Sequence, residues 1–328
     1  MKVLITGGAG YIGSTIASAC ADEGITPVIL DNLATGRLEY LSHRAAYQGD
    51  IADGALIDRI WEDHPDLYSV IHCAALSTVP ESTADPIRYY RENLGGTISL
   101  TEHLLRNGCR RILFASPASV YGSTATTVTE RDGLDPASPY ARTKAGCEAF
   151  LKDTSAATGL AVIAMRYANP IGTDPLLRTG LQIDKPTHLL GRLISAAEDD
   201  TPFTLTGNDW PTRDGSGLRD FIHVWDLATA HVRALQRFDE VTAEIPFHAL
   251  NISSGTGTTV RELAQAFQGV TGHTISLKEA PARPGDVAGF TMDNGRARRL
   301  LVWSPKLTVT EAIQHAMEWR PVRARMLT

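Results

Sequence analysis

The sequence predicts an α/β protein organised around a doubly wound parallel sheet, with a smaller lobe toward the C-terminus. Three observations predict it. Short apolar runs alternate with amphipathic stretches through the first half. A glycine-rich loop joins the first run to the first amphipathic stretch. After Asn169 the texture changes to long segments rich in Thr, Asp, Pro and Gly.

The runs at 3–6, 26–30, 46–49, 69–73, 111–115 and 161–167 read as short buried strands. Those at 12–23, 54–63, 87–107 and 138–158 carry helical periodicity. Strands alternating with helices imply right-handed crossovers, and these build a parallel sheet. Pro139 suits the first turn of the 138–158 helix. Residues 172–186 and 201–217 read as irregular, and long irregular stretches in a compact chain tend to be binding loops. Residues 221–237 read as a strand and helix. We therefore expect residues 1–170 to form a nucleotide-binding domain, with 221–252 returning to it and 171–328 mainly forming a substrate-binding lobe.

Composition narrows the function. The 328 residues include 43% hydrophobic and 21% charged side chains, which is ordinary for a globular chain. A net charge of −6 gives no basic face for nucleic acid. No run is long and apolar enough for a bilayer, and the strand-like Val3-Leu4-Ile5 leaves no room for a signal peptide. Cys20, Cys73, Cys109 and Cys147 are scattered without a CxxC pair. Disulfides and a metal site are not expected, and a reducing cytoplasm suits the chain.

The loop Thr6-Gly-Gly-Ala-Gly-Tyr-Ile-Gly13 spaces its glycines as Gly7-x-x-Gly10-x-x-Gly13 between a strand and a helix. Glycines there permit a tight turn and close approach of a pyrophosphate, whose charge the helix amino end favours. This makes the sheet Rossmann-like. Asp31 ends the second run, where a carboxylate accepts hydrogen bonds from an adenosine ribose and repels a 2′-phosphate, favouring NAD over NADP. Asp50-Ile51 follows the third run and is placed to hold the adenine edge, or is a simple turn.

Tyr140 and Lys144 lie four apart on the 138–158 helix and share a face. A free tyrosine titrates near 10. A neighbouring ammonium stabilises its phenolate, so Lys144 is expected to lower Tyr140 toward neutrality. Such a phenol exchanges a proton with a substrate hydroxyl while hydride moves to or from a nicotinamide.

With these motifs, Asp31-Asn32, His72-Cys-Ala-Ala75 and Val120-Tyr-Gly122 resemble the extended short-chain dehydrogenase/reductase superfamily. Arg166-Tyr-Ala-Asn-Pro170 is similar to the RYFNP segment of UDP-glucose (UDP-galactose) 4-epimerases. The block from Gly207 to Val224 resembles their GNDYPTEDGTGVRDYIHV, and Arg283-Pro-Gly-Asp286 resembles their RPGD. The resemblance implies an isomerase that holds NAD, oxidises a UDP-hexose at carbon four, and returns the hydride to the other face. It implies cofactor contacts from Gly7, Gly10, Tyr11, Ile12, Gly13, Asp31, Asn32, Asp50, Ile51, Cys73, Ala74, Ala75, Asn93, Ser116, Tyr140, Lys144 and Tyr167. It also implies substrate contacts from Ser119, Tyr140, Asn169, His188, Arg219, Arg283, Asp286 and Phe290. In this scheme Arg219 and Arg283 neutralise the diphosphate and Asp286 holds the uridine ribose. By the same analogy, helices 87–107 and 138–158 form a homodimer interface.

Several positions depart from the pattern. Relatives carry a proton-relaying serine where this chain has Pro117. In an extended segment Ser119 would share the side of residue 117, so Ser119 or a water is the expected substitute relay, with Ser116 second. Ser77 replaces a family lysine. Arg178 and Lys185 precede Thr187-His188 where relatives carry an Asn-Asn pair, and these cations would suit a uronate carboxylate. Phe290 restricts space near the sugar's second carbon and disfavours N-acetylhexosamines. UDP-glucose and UDP-galactose are therefore the expected substrates, and UDP-glucuronate is the alternative. A 4,6-dehydratase would need an Asp-Glu pair at Ala118-Ser119. A non-catalytic NAD sensor would lack the Tyr/Lys pair.

Overall fold

The computed structural model describes residues 1–122, 126–183, 186, 188–282 and 288–327. In chain order the first half contains β1 (Lys2–Thr6), α1 (Tyr11–Asp22), β2 (Thr26–Asp31), β3 (Ala45–Gln48), α2 (Gly54–Asp63) and β4 (Leu67–His72). Then come α3 (Val79–Ala84), α4 (Pro86–Tyr89), a π-helical turn (Tyr90–Gly95), α5 (Gly96–Arg106), β5 (Arg111–Pro117), β6 (Thr127–Val128), α6 (Pro139–Thr158) and β7 (Ala161–Tyr167). The second half supplies β8 (Asn169–Ile171), α7 (Leu189–Glu198), β9 (Phe203–Thr206), β10 (Leu218–His223), α8 (Val224–Gln236), α9 (Phe238–Thr242) and β11 (Phe247–Ile252). It ends with β12 (Gly257–Thr259), α10 (Val260–Thr271), β13 (Leu277–Ala280), β14 (Thr291–Met292), α11 (Gly295–Leu301) and α12 (Val309–Met326).

Seven strands form one parallel sheet in the order β11-β7-β5-β4-β1-β2-β3. Six of the seven strands feed both faces, as the period of two allows, while edge strand β3 contributes only half-buried Tyr47. Val3, Ile5, Ile29, Ile71, Leu113, Ile163 and Met165 join the core beneath α1 and α8. Leu4, Val28, Val70, Ile112, Phe114, Val162 and Ala164 join the opposite core with residues of α2, α5 and α6. Burial on both sides explains why these runs read as apolar. The chain moves outward in one direction through β2 and β3 and in the other through β4 and β5. Between β1 and β4 the sheet therefore has its switch point, where ligands bind beyond the strand ends.

Helix caps sharpen the boundaries. Ser138 accepts from Ala141 N at 3.1 Å and starts α6, and Gly159 at φ 73 ends it. Thr259 and Thr308 form capping boxes with Glu262 and Glu311 on α10 and α12. Imidazoles cap two others: His188 Nδ1 accepts from Gly191 N at 3.2 Å on α7, and His223 Nδ1 from Trp225 N at 3.0 Å on α8. The single helix expected over 87–107 is instead α4, the π turn and α5. The stretch 201–217 contains β9, which pairs with β13. A third apolar cluster joins α7, α10 and α12 around Ile171, Leu193, Phe267 and Ile313.

Candidate active site

The cofactor cradle forms where β1 meets α1. A Cβ on Gly7 would lie 2.7 Å from Ala74 N, and one on Gly13 would lie 2.2 Å from the Gly7 carbonyl. Gly7 also sits at φ 69. At Gly10 the nearest atom, the Gly7 carbonyl, is 3.4 Å away, so the protein leaves open the space above the helix. Gly10 is the N-cap of α1 and offers no capping side chain, leaving the first amides of the helix to an anionic ligand. These features fit a pyrophosphate.

Asp31 ends β2, 8% exposed, and accepts from Ala9 N at 2.9 Å and Leu33 N at 2.8 Å. Its carboxylate thereby fixes the glycine loop and the turn beyond it. Asn32 and Asp50 each accept an amide two residues on, from Ala34 and Ala52. Ile51 packs toward Gly96 of α5. Half-buried Cys73 and Ala74 and exposed Ala75 follow β4. Asn93 lies in the π turn and spends its amide on protein partners: Leu76 N at 2.8 Å, Leu76 O at 3.0 Å and Thr143 Oγ1 at 3.1 Å. Its geometry positions the β4–α3 loop against α6. Ile12 packs into the α1 core, while Tyr11 turns its hydroxyl to the Gly172 carbonyl at 2.7 Å. Tyr167 lies opposite Pro117 in the β5–β7 register.

Tyr140 and Lys144 project from the first turns of α6. Tyr140 is half-buried, and Lys144 is 3% exposed with Nζ 4.0 Å from the Phe114 ring centroid. Burial pushes the Tyr140 phenol up from its usual value, with smaller contributions from Tyr89 and Cys147. The expected lowering of Tyr140 by Lys144 is not what the structure shows. Burial lowers the Lys144 ammonium itself, opposed by Cys147, Cys73 and Glu148. Desolvation therefore dominates the pair, and Tyr140 rests as a neutral phenol.

Around Pro117 the two expected substitutes separate. Ser116 is buried and donates to Glu148 Oε1 at 2.5 Å, so its hydroxyl is committed inside the core. This excludes it as the second-choice relay. Ser119 is exposed, but it sits in a 3₁₀ turn (Ala118–Val120) rather than an extended segment. The alternation used to aim it therefore does not apply.

On the second lobe, Asn169 pairs with Phe221 in the β8–β10 register. His188 is held to about 4 by burial, and its Nε2 is buried without a partner. Arg219 donates from Nη1 to the Leu218 carbonyl at 2.6 Å. Phe290 meets Tyr121 edge to face, with centroids 6.2 Å apart. Arg283, Asp286, Lys185 and Thr187 lie outside the described residues. Arg178 does not reach toward a substrate. It forks onto Asp22 at 2.6 and 2.9 Å, holds Asp174 at 2.5 Å, and lies 5.5 Å from the Trp225 ring. That commits one of the two cations which motivated the uronate alternative, and the other, Lys185, lies outside the described residues.

Comparison with known proteins agrees with this geometry. The model of the NAD dependent epimerase/dehydratase family matches residues 3–252. The chain belongs to that family. Among relatives of this epimerase-family chain, UDP-glucose 4-epimerase of Halalkalibacterium halodurans is 36% identical over 97% of this chain and 95% of its own. The Bacillus subtilis UDP-glucose 4-epimerase is also 36% identical, over 98% and 97%. The Stenotrophomonas maltophila UDP-glucose-4-epimerase, solved with NAD and formylated UDP-arabinopyranose, superposes with a TM-score of 0.94 at 33% identity, covering 99% of each chain. The Brucella ovis UDP-glucose 4-epimerase with NAD gives 0.91 at 34% identity, covering 97% and 98%. NAD is the cofactor of the family.

Sequence reasoning missed the buried network behind this epimerase-family site. Glu148 accepts from Arg166 Nε at 3.0 and 3.1 Å and from Nη2 at 2.5 Å. Arg166 Nη1 donates to Tyr121 Oη at 2.8 Å, and Tyr121 donates to Asn251 Oδ1 at 2.7 Å. Glu148 stands one helical turn beyond Lys144, so its spacing was the available signal.

Proposed function

We propose that the protein is an NAD-dependent isomerase that interconverts UDP-glucose and UDP-galactose by inverting the hydroxyl at carbon four. The observation that carries this reading is Tyr140 and buried Lys144 on one face of α6, beside a glycine cradle shaped for a dinucleotide at the switch point. Bound NAD supplies a hydride acceptor that carries positive charge when oxidised. The residues of this chain move and place the proton. Once ionised, Tyr140 takes the proton of the sugar hydroxyl as the alcohol is oxidised, and the resulting phenol returns it to the ketone oxygen. Lys144 stays near the phenol and favours its ionised form during the transfer. Gly7, Gly10 and Gly13 accommodate the pyrophosphate, and Asp31 accepts from a ribose hydroxyl.

Asn169, His188 and Arg219 border the substrate, joined by Arg283 and Asp286 as the resemblance implies. Phe290, braced by Tyr121, limits space beside the sugar ring and disfavours an N-acetyl substituent. Ser119 completes the proton path in place of the serine that Pro117 displaces. The commitment of Arg178 to Asp22 and Asp174 favours a neutral hexose over a uronate. Exposed Ile87 (71%) and Tyr90 (41%) support a homodimer built on helices 87–107 and 138–158. The free cysteines suit the cytoplasm.

Incubation with separate UDP-sugars, followed by product stereochemistry, tests the reading. UDP-glucose and UDP-galactose should interconvert, with UDP-glucuronate and UDP-N-acetylglucosamine turned over far more slowly. Equal rates on UDP-glucuronate would reverse the choice of sugar. Bound NAD without any turnover would point to a sensor.

A further inference from the structure

Residues 172–183 follow β8 and run back across the half of the molecule that carries the glycine loop. They contain no helix or strand, yet side chains hold them along their length. Tyr11 donates to the Gly172 carbonyl and Tyr40 to the Gly180 carbonyl, both at 2.7 Å. Arg178 ties the middle to Asp22 of α1. Gln182 Nε2 donates to the Thr35 carbonyl at 3.0 Å. From the other side, Trp319 of α12 donates to the Leu181 carbonyl at 3.0 Å and Arg323 to the Gln182 carbonyl at 3.1 Å.

Thr35 and Tyr40 belong to the connection between β2 and β3, which wraps Asp31. Leu33 N donates to the Asp31 carboxylate, and Arg37 N to the Ala9 carbonyl at 3.0 Å. The same connection thus touches both the ribose-binding carboxylate and the glycine loop. A carbonyl can only accept, so Thr35 fixes which way the Gln182 amide points. Gln182 is 4% exposed, and its Oε1 is buried with no donor among the described residues. A buried acceptor in that state is costly and favours an arriving hydroxyl or water.

We propose that residues 172–183 form a strap that holds the β2–β3 connection over the cofactor. Gln182 and Tyr40 are its positioning residues, and they slow the release of NAD. This rests on the NAD-dependent reading above. A cofactor restored in every turnover never needs to leave, and hydrogen bonds from two directions suit a permanent fastening.

The experiment loads wild type, Gln182→Leu, Tyr40→Phe and the double variant with isotope-labelled NAD and follows its release into excess unlabelled NAD. Melting temperature, and kcat and KM for UDP-galactose at saturating NAD, are measured alongside. Loss of two neutral hydrogen bonds should speed release in the double variant by about tenfold or more. The kcat and KM at saturating NAD should stay within about twofold, because neither side chain touches the reacting groups. If the double variant does not fold, Tyr40→Phe alone removes a single oxygen and should still release NAD several times faster. Unchanged release from variants that hold NAD overturns the strap and leaves the cofactor reading standing. Failure of wild type to hold NAD overturns that reading and the strap with it.

Discussion

Burial raises the Tyr140 phenol and lowers the Lys144 ammonium. In the proposed reaction the phenol must lose its own proton before it can take that of the sugar hydroxyl, and it then returns that proton to the ketone oxygen. Tyr140→Phe should therefore cut kcat by about 10²–10⁴-fold with little change in NAD binding. Ser119→Ala should lower kcat in the same assay, and unchanged turnover would rule out Ser119 as the relay. The Tyr/Lys pair was legible because helical spacing alone fixes their shared face. The fate of Ser116 was not, since the carboxylate that captures its hydroxyl lies 32 positions away in sequence. The alternation used for Ser119 does not hold because the chain leaves extended geometry at Ala118, and nothing in its composition announces a 3₁₀ turn.

Helix α6 carries both Tyr140 and Lys144, the proposed catalytic pair, and two devices fix its setting. Ser138 caps its start, and the Glu148–Arg166 pair locks it to β7, with side chains 4% and 7% exposed. Glu148→Gln removes one partner from a buried, hydrogen-bonded ion pair and should cost about 3–5 kcal/mol in urea unfolding. A loss below about 1 kcal/mol would mean that α6 is held by packing alone. The apolar runs of β1, β2, β4, β5 and β7 were legible because both of their faces are buried. The π turn was not, since one extra residue in a long helical stretch barely disturbs the periodicity. Yet that turn buries Asn93 and lets its amide reach both Leu76 and Thr143. The 172–186 stretch read only as loop because its partners Tyr11, Tyr40 and Thr35 are distant in sequence.

Across the described residues of the molecule, burial lowers five histidines, His248 among them. His72 and His223 are lowered to about 3, and His188 and His231 to about 4. An unfolded imidazole titrates near 6.5. Folded values lie below that, so the unfolded chain binds more protons in between. Their stabilisation is complete above about pH 6.5 and is lost as the pH falls toward 3 to 4, with each group contributing up to about 1.4 kcal/mol per pH unit. The melting temperature should fall steadily from pH 7 to pH 5, and a flat profile would contradict the burial seen here. Two of these histidines, His188 and His223, are also the caps of α7 and α8. A protonated imidazole has no lone pair left to receive an amide. Acid therefore removes the starting contacts of these two helices, while the hydroxyl cap of α6 is untouched by protons. The molecule carries within its helix starts an order of disassembly, with α7 and α8 fraying before the helix that bears Tyr140.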